Sequence, residues 1–349
     1  MAVEPFRVGF TRDCIRPDGK PAFDPAVLDA IESAPGLAHE FMDQATPAIT
    51  PDQAARYDAV VTMRPRTEAA SLARADRRLR LVARFGVGFD NVDVEACTRA
   101  GVIVANTPAA VRRPVATIIL AFTMALSLKL LRLDRLTRAG RWAERHDDMG
   151  VGLVGKTFGA FGVGSIGTEA FRLLKPLGMK HLGCDPYARP EDMKEIGVEL
   201  ADKDTLLSRA DFVSISTPLT PETNKLVGER ELGLMKPTAF LINTSRGQTV
   251  DERALYRALK DRRIAGAALD VFEQEPTPKD NPILGLDNVI VTPHSLCHTD
   301  ECFRHVAADA IGAALSLARG ERPRFVVNPA VLEHPGLRAF MQDRKRSAR

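Results

Sequence analysis

Cysteine is scarce in this chain of 349 residues: Cys14, Cys97, Cys184, Cys297 and Cys302 are all it has, with no C-x-x-C pair among them. An odd, scattered set excludes a disulfide framework and fits a reducing compartment. An excess of one charge is missing as well. Lys and Arg number 48 against 45 Asp and Glu, a net charge of +3, too small for the electrostatic footprint of a nucleic-acid binder. The opening MAVEPFRVGFTRD carries Glu4 and Arg7 and no apolar h-region, so it does not read as a secretory signal. The longest apolar run, Val115–Leu131, is interrupted by Thr117, Thr123, Ser127 and Lys129. It reads as a buried helix rather than a bilayer span. No solenoid repeat and no His/Cys metal spacing is found. These absences leave the expectation of a cytoplasmic globular protein with no membrane partner, no nucleic-acid partner and no metal.

What is present is an ordinary globular composition, 45% hydrophobic and 27% charged, in a length that suggests two domains at about 150 residues each. Short apolar runs recur along the chain. The expected strands are Val8–Phe10, Ala59–Met63, Leu81–Arg84, Val102–Ala105, Thr157–Gly162, His181–Asp185, Phe212–Ser216, Ala239–Asn243, Ala267–Val271 and Val289–Thr292. Near-continuous runs such as FLIN and VIVT suit strands buried on both faces of a parallel sheet. Between them lie helical stretches such as DERALYRALKD, with Leu255 and Leu259 four apart. Alternating β and α elements imply a doubly wound α/β architecture. One domain crossing is expected near Asn106–Pro108 and a second near His294–Thr299, with a polar, basic, solvated end after about Val331.

Gly162-Val163-Gly164-Ser165-Ile166-Gly167 matches G-x-G-x-x-G, with the apolar TFGAFG leading in and the helix-prone TEAFRLLKPL leading out. In such a loop the first glycine makes the tight turn, the second lets a pyrophosphate reach the backbone, and the third allows strand and helix to pack closely. The following helix N-terminus then offers free N–H groups to phosphate. Asp185 follows Gly167 at the end of the next apolar run, where a carboxylate accepts hydrogen bonds from the ribose hydroxyls of NAD and repels the 2′-phosphate of NADP. Arg189 close by softens that discrimination, so NAD is expected with NADP left open. Arg246, Glu275 and His294 lie beyond other expected strand ends. Together they suit carbonyl reduction: Arg246 to grip a carboxylate or keto oxygen, His294 to donate a proton, and Glu275 to favour the imidazolium.

The ordered segments GVGFDNVD (86–93), NTP (106–108), GKTFGAFGVGSIG (155–167), DP (185–186), PLTPET (218–223), INTSRG (242–247), ALDVFEQEP (268–276) and NVIVTPH (288–294) resemble the D-isomer-specific 2-hydroxyacid dehydrogenase family. The resemblance runs over roughly residues 5–330. It implies two doubly wound parallel-sheet domains, Rossmann-like and flavodoxin-like, with a cleft between them. The substrate domain is expected to be discontinuous, 1–105 plus 298–335, around an NAD domain at 106–297, with 336–349 as a basic tail. The resemblance also implies a homodimer acting on a small 2-keto or 2-hydroxy acid, with Val115–Leu131 near the subunit junction. By the same match Asp270 contacts the nicotinamide carboxamide and the Val87 and Gly88 amides hold the substrate carboxylate. Thr217, Pro218 and Thr244 line the cofactor, beside Gly162, Gly164, Ser165, Ile166 and Gly167.

Two segments depart from the family pattern. After the Asn-Thr-Pro segment stand Arg112 and Arg113 ahead of Pro114, with Pro114 expected in the first helical turn. Two cations there oppose the macrodipole and call for an anion, so Arg112 or Arg113 is a candidate for a second anionic group on the substrate. Past His294 the chain reads Ser-Leu-Cys-His-Thr. His298 is therefore either a further polar substrate contact or a packing residue. Outside this reading stand an NAD(H)-sensing corepressor-like binding protein and a phosphite- or formate-type dehydrogenase of the same superfamily; Glu275 opposes the formate type and leaves the phosphite type open.

Overall fold

A computed structural model describes residues 4–147 and 149–347. In chain order the strands are β1 (Phe6–Phe10), β2 (Leu37–Phe41), β3 (Ala59–Thr62), β4 (Leu81–Arg84), β5 (Ile103–Ala105), β6 (Thr157–Phe161), β7 (Lys180–Cys184), β8 (Val198–Leu200), β9 (Phe212–Ile215), β10 (Phe240–Asn243), β11 (Gly266–Leu269) and β12 (Val289–Val291). The α-helices are α1 (Asp29–Glu32), α2 (Pro51–Arg56), α3 (Val94–Arg99), α4 (Pro108–Ser127), α5 (Leu130–Arg138), α6 (Ser165–Leu174), α7 (Pro190–Ile196), α8 (Lys203–Arg209), α9 (Glu229–Leu234), α10 (Glu252–Lys260), α11 (Asp300–Ala318) and α12 (Pro335–Ser347).

The chain divides into two compact units, Met1–Val111 with His298–Arg349, and Arg112–Cys297. The first crossing thus falls inside α4, a few residues after Ala105. The first unit holds a five-stranded sheet of order β2-β1-β3-β4-β5, every pairing parallel. Val60, Val82 and Val104 pack with Ala54 of α2 and with Ala96 and Cys97 of α3. The period-two alternation sends Val61 and Ala83 to the other face, where α11 lies against β3 and β4.

The second unit holds a seven-stranded parallel sheet of order β12-β11-β10-β9-β6-β7-β8. One face packs Phe161, Val213, Ile215 and Leu241 on α8, α9 and α10. The other packs Phe158, Phe212, Phe240 and Ile242 on α4 and α6. The chain runs outward from β6 through β7 to β8, then returns to β9 and proceeds to β12. The switch point therefore lies between β6 and β9, and ligands bind such sheets beyond the strand C-termini at that point.

Ten of these strands sit where the apolar runs predict them. The expectation misses β2 and β8, which are edge strands with one neighbour each. Their sequences, LAHEF and VEL, carry the polar residues an edge tolerates and a central parallel strand does not.

Three expectations need correction. Helix α4 begins at Pro108, so Pro114 lies inside it rather than in its first turn. There it removes one backbone donor from the helix ladder. The apolar run Val115–Leu131 is also two helices, because Lys129 adopts a left-handed backbone (φ 50°) between α4 and α5. By length and composition α4 could cross a membrane, yet Ala116, Ile119 and Phe122 bury their side chains in the core of the second unit. The basic tail, finally, is not a solvated end over its described length. Helix α12 buries Leu337, sets Phe340 against the Phe6 ring and donates the Arg344 Nε–H to the Ala318 carbonyl at 2.9 Å. Ala348 and Arg349 lie outside the described residues.

Candidate active site

The C-terminal edge of the seven-stranded sheet collects most of the predicted site. Gly162 follows β6 with φ 84°, and a Cβ there would sit 2.8 Å from the Ser216 carbonyl oxygen beyond β9. Only glycine turns the chain in that space. Gly167, in the first turn of α6, would place a Cβ 2.2 Å from the Gly162 carbonyl oxygen. Gly164 differs from both: a Cβ there would meet nothing within 4 Å. Its backbone, the N-cap of α6, faces open space. Ser165 and Ile166 follow as the first residues of that helix, whose free N–H groups favour an anion.

Two further observations fit a dinucleotide to this loop. The Ser216 and Thr217 hydroxyls, at the end of β9, are buried and have no hydrogen-bond partner among the described residues. Orphaned buried hydroxyls call for a ligand or water. Asp185, at the end of β7, accepts the Val163 N–H of the glycine loop at 3.0 Å and the Tyr187 N–H at 2.9 Å. The Asp185 carboxylate and the glycine loop are thereby tied together. Arg189, expected to soften cofactor discrimination, is instead closed on Asp192.

The catalytic candidates stand on the loops after β10, β11 and β12. Asn243 ends β10 and organises the Arg246 loop: its Nδ2 donates to the Arg246 carbonyl at 2.9 Å, and its Oδ1 accepts the Ser245 N–H at 3.0 Å. Thr244, between them, is half-buried. Gly247 lets the Arg246 loop lie directly on the backbone of Phe272 and Glu273, and Gln248 Nε2 donates to the Glu273 carbonyl at 2.7 Å. Beyond β11, the Phe272 N–H donates to Glu275 Oε1 at 3.0 Å. Glu275 Oε2 lies 2.7 Å from His294 Nδ1.

His294 has φ 51°, a left-handed backbone that non-glycine residues adopt at a cost of about 1–3 kcal/mol and that clusters at functional sites. Asp270 holds it there. Its buried Oδ1 accepts the Thr292 hydroxyl at 2.6 Å and the Ser295 N–H at 3.1 Å, gripping the chain on both sides of His294. The hydrogen bond from Glu275 raises the His294 pKa above its ordinary value; burial opposes it, and the Glu275 charge adds to the rise. Burial pushes Glu275 upward, but its bond and charge pairing with His294 outweigh that and hold it below the usual carboxylate range. The Arg246 charge lowers the pKa of both groups, and the Arg246 loop lies against the Phe272 and Glu273 backbone that leads to Glu275. His294 Nε2 has no hydrogen-bond partner among the described residues.

Val87 and Gly88 belong to the first unit, in the loop after β4. The buried Arg84 fixes that loop, donating its Nε–H to the Gly88 carbonyl at 2.8 Å and its Nη1 to the carbonyls of Thr62 and Met63. Asn106 donates to the Val87 carbonyl at 2.8 Å. The Val87 and Gly88 amides themselves have no partner among the described residues. His298 opens the second segment of this unit, its ring edge-on to Phe303 at 4.6 Å. Arg113 is placed elsewhere than expected: its Nη1 lies 2.6 Å from Oε1 of Glu169 on α6, and that hydrogen bond holds the Glu169 carboxyl below its usual range. The anion that the two arginines call for is thus supplied by the chain, and Arg112 remains exposed. Sequence reasoning passed over Asn243, Arg84, Glu169 and Ser216. A polar residue closing an apolar run is the only trace that the first two leave in the sequence.

A glycine turn at the switch point of a doubly wound sheet, a carboxylate fixed at the end of the next strand, and an Arg loop packed on the segment that carries a Glu–His pair define a class, the NAD-dependent oxidoreductases. Residues 120–295 match the family model described as "D-isomer specific 2-hydroxyacid dehydrogenase, NAD binding domain". A glyoxylate reductase of Korarchaeum cryptofilum is 40% identical over 279 residues, 79% of this chain and 84% of that protein. A D-3-phosphoglycerate dehydrogenase of Methanocaldococcus jannaschii is 42% identical over 72% of this chain, which spans only 48% of that longer protein. The solved D-lactate dehydrogenase of Aquifex aeolicus, complexed with NAD and lactic acid, superimposes with TM-score 0.81 at 27% identity, covering 92% of this chain and 99% of that one. The chain belongs to the D-isomer-specific 2-hydroxyacid dehydrogenase family and is an NAD-dependent 2-hydroxyacid dehydrogenase.

Proposed function

We propose that the protein interconverts a small 2-keto acid and the corresponding D-2-hydroxy acid, with His294 and Glu275 as the acid/base pair and Arg246 on the substrate carboxylate or keto oxygen. The observation that carries this reading is the 2.7 Å contact between His294 Nδ1 and Glu275 beside the Arg246 charge. Glu275 keeps Nδ1 protonated and the ring charged, so Nε2–H gives its proton to the carbonyl oxygen as alkoxide character develops. Arg246 stabilises that oxygen or the neighbouring carboxylate with its planar fork. The Val87 and Gly88 amides bind the carboxylate as backbone donors. NADH, held by Gly162, Gly164, Ser165, Ile166, Gly167, Asp185, Thr217, Pro218, Thr244 and Asp270, supplies the hydride when bound.

Glyoxylate and hydroxypyruvate are the substrates we place first, since several relatives are named glyoxylate reductases. Loss of NADH absorbance against glyoxylate, hydroxypyruvate, pyruvate, phosphohydroxypyruvate and 2-keto sugar acids tests this. The expected order puts the two short, singly charged acids ahead of phosphohydroxypyruvate, because Arg113 is already neutralised by Glu169. A clear preference for phosphohydroxypyruvate would overturn that order, and NADH binding without turnover of any acid would turn the reading to a sensor.

The same proposal includes a homodimer acting in the cytoplasm. Its support is an exposed apolar surface on α4, α5 and their junction, where Met124, Leu128, Leu130 and Leu131 are 41%, 54%, 54% and 41% exposed. Patches of this kind mark protein contacts. Sedimentation equilibrium of the intact protein should give twice the chain mass, and Leu130→Glu with Leu131→Glu should reduce it to the monomer. A monomeric parent protein sinks the proposal. The five free cysteines fit a reducing compartment.

A further inference from the structure

Strand β7 delivers Asp185 to the edge of the sheet where an adenosine ribose would lie, with β8 outside it. The two backbone N–H groups already described, from Val163 and Tyr187, hold both carboxylate oxygens. The carboxylate is therefore fixed and cannot swing aside for an extra phosphate. A 2′-phosphate on that ribose would need a cation to offset the repulsion.

Arg189 and Lys203 follow β7 and β8 among the described residues, and each is already paired. Arg189, just before α7, forms a two-pronged pair with Asp192: Nε to Oδ2 at 2.9 Å and Nη2 to Oδ1 at 3.0 Å. Asp192 itself sits in the first turn of α7, where the helix dipole favours a carboxylate. Lys203, just past β8, lies 2.9 Å from Glu231. Asp202 beside it, the N-cap of α8, adds a further negative charge.

We propose that Asp192 is a specificity-determining residue for the cofactor. By holding Arg189 in a two-pronged pair it withholds a cation four residues past Asp185 from a ribose 2′-phosphate, and so keeps the enzyme on NAD rather than NADP. The proposal rests on the reading of Asp185 as the ribose carboxylate. Asp192 is a positioning residue, acting through Arg189. The pair is exposed, 75% and 50% at its two side chains. Exposed pairs are weak, so a single substitution releases the arginine.

Fluorescence titration of the intact protein with NADH and with NADPH tests the idea without reference to turnover. Asp192→Asn should tighten NADPH about fivefold, the scale of one exposed ion pair, while NADH stays within about twofold of the parent protein. Asp192→Glu should keep the parent discrimination, and adding Arg189→Ala to Asp192→Asn should return NADPH to the parent affinity. Equal changes for both cofactors, or a gain that survives the loss of Arg189, overturn the proposal. Asp185→Asn separates the two readings. If it leaves NADH affinity unchanged, the ribose assignment fails and the proposal falls with it. If it weakens NADH while Asp192→Asn changes nothing, only the role of Asp192 fails.

Discussion

Replacing His294 with Asn should lower kcat for keto-acid reduction by about 10²–10⁴-fold, the range typical of a lost general acid, while NADH affinity stays within about twofold. Asn is the informative substitution because it tolerates the left-handed backbone that His294 adopts at φ 51°. It offers a hydrogen bond but no proton at neutral pH. His294→Ala should match it in kcat and melt lower, since alanine gains nothing from that conformation. The pH dependence adds a second signature. Glu275 holds the imidazole pKa above its ordinary value, and reduction needs the protonated ring. The kcat/KM for reduction is therefore full at low pH and falls as pH rises through that raised pKa. Oxidation needs the neutral ring and rises over the same range. Glu275→Gln removes the carboxylate that raises the imidazole pKa, so both transitions should move to lower pH. A drop of less than tenfold in His294→Asn, or an unmoved profile in Glu275→Gln, would place the proton donor elsewhere.

How much of this could be read from the sequence follows from burial. The central strands announce themselves because a parallel strand covered on both faces must be apolar throughout, as in FLIN at β10. The edge strands β2 and β8 need no such run. The glycine loop was legible because its spacing is a local pattern within one β–α unit, although the clash that demands Gly162 comes from Ser216 beyond β9. The partner of Arg113, Glu169, is 56 residues away in sequence. No local rule reveals that the charge is already satisfied. The start of α4 was misplaced for a related reason: Pro114 looks like a helix opener, and only packing of the turns before it shows that the helix has already begun. Asp270 was assigned to the cofactor by resemblance, yet its observed bonds go to Thr292 and Ser295. Its structural task, holding His294 in an unfavoured backbone, depends on two neighbouring strands being in register.

Gly247→Ala should be the most damaging single methyl group in the protein, and its effect separates assembly of the catalytic groups from cofactor binding. A Cβ at this position would lie 1.8 Å from the Phe272 carbonyl carbon, 2.0 Å from its oxygen and 2.3 Å from the Glu273 nitrogen. All three obstacles are backbone, so no side-chain rotation relieves them. The two loops are also tied across the contact, with Gln248 donating to the Glu273 carbonyl and the Glu252 and Glu273 side chains each accepting the other's backbone N–H. The strain must therefore move either Arg246 or the segment that carries Glu275, both members of the proposed catalytic group. A displacement near 1 Å costs about 10²-fold in rate, and overpacking costs about 1–3 kcal/mol or more. The expected result is a fall in kcat/KM of at least about 100-fold, with a lower melting temperature and NADH affinity much less affected. Gly164→Ala should give the opposite profile. Its Cβ meets no protein atom within 4 Å, and its φ of −64° suits alanine. That variant should melt like the parent protein yet bind NADH poorly, because the added methyl group occupies the space where the pyrophosphate approaches the backbone. If Gly247→Ala keeps its activity, the Arg246 loop is not held against Phe272 as described. If both glycines lose only NADH affinity, the catalytic loops and the phosphate loop form one site rather than two separable parts.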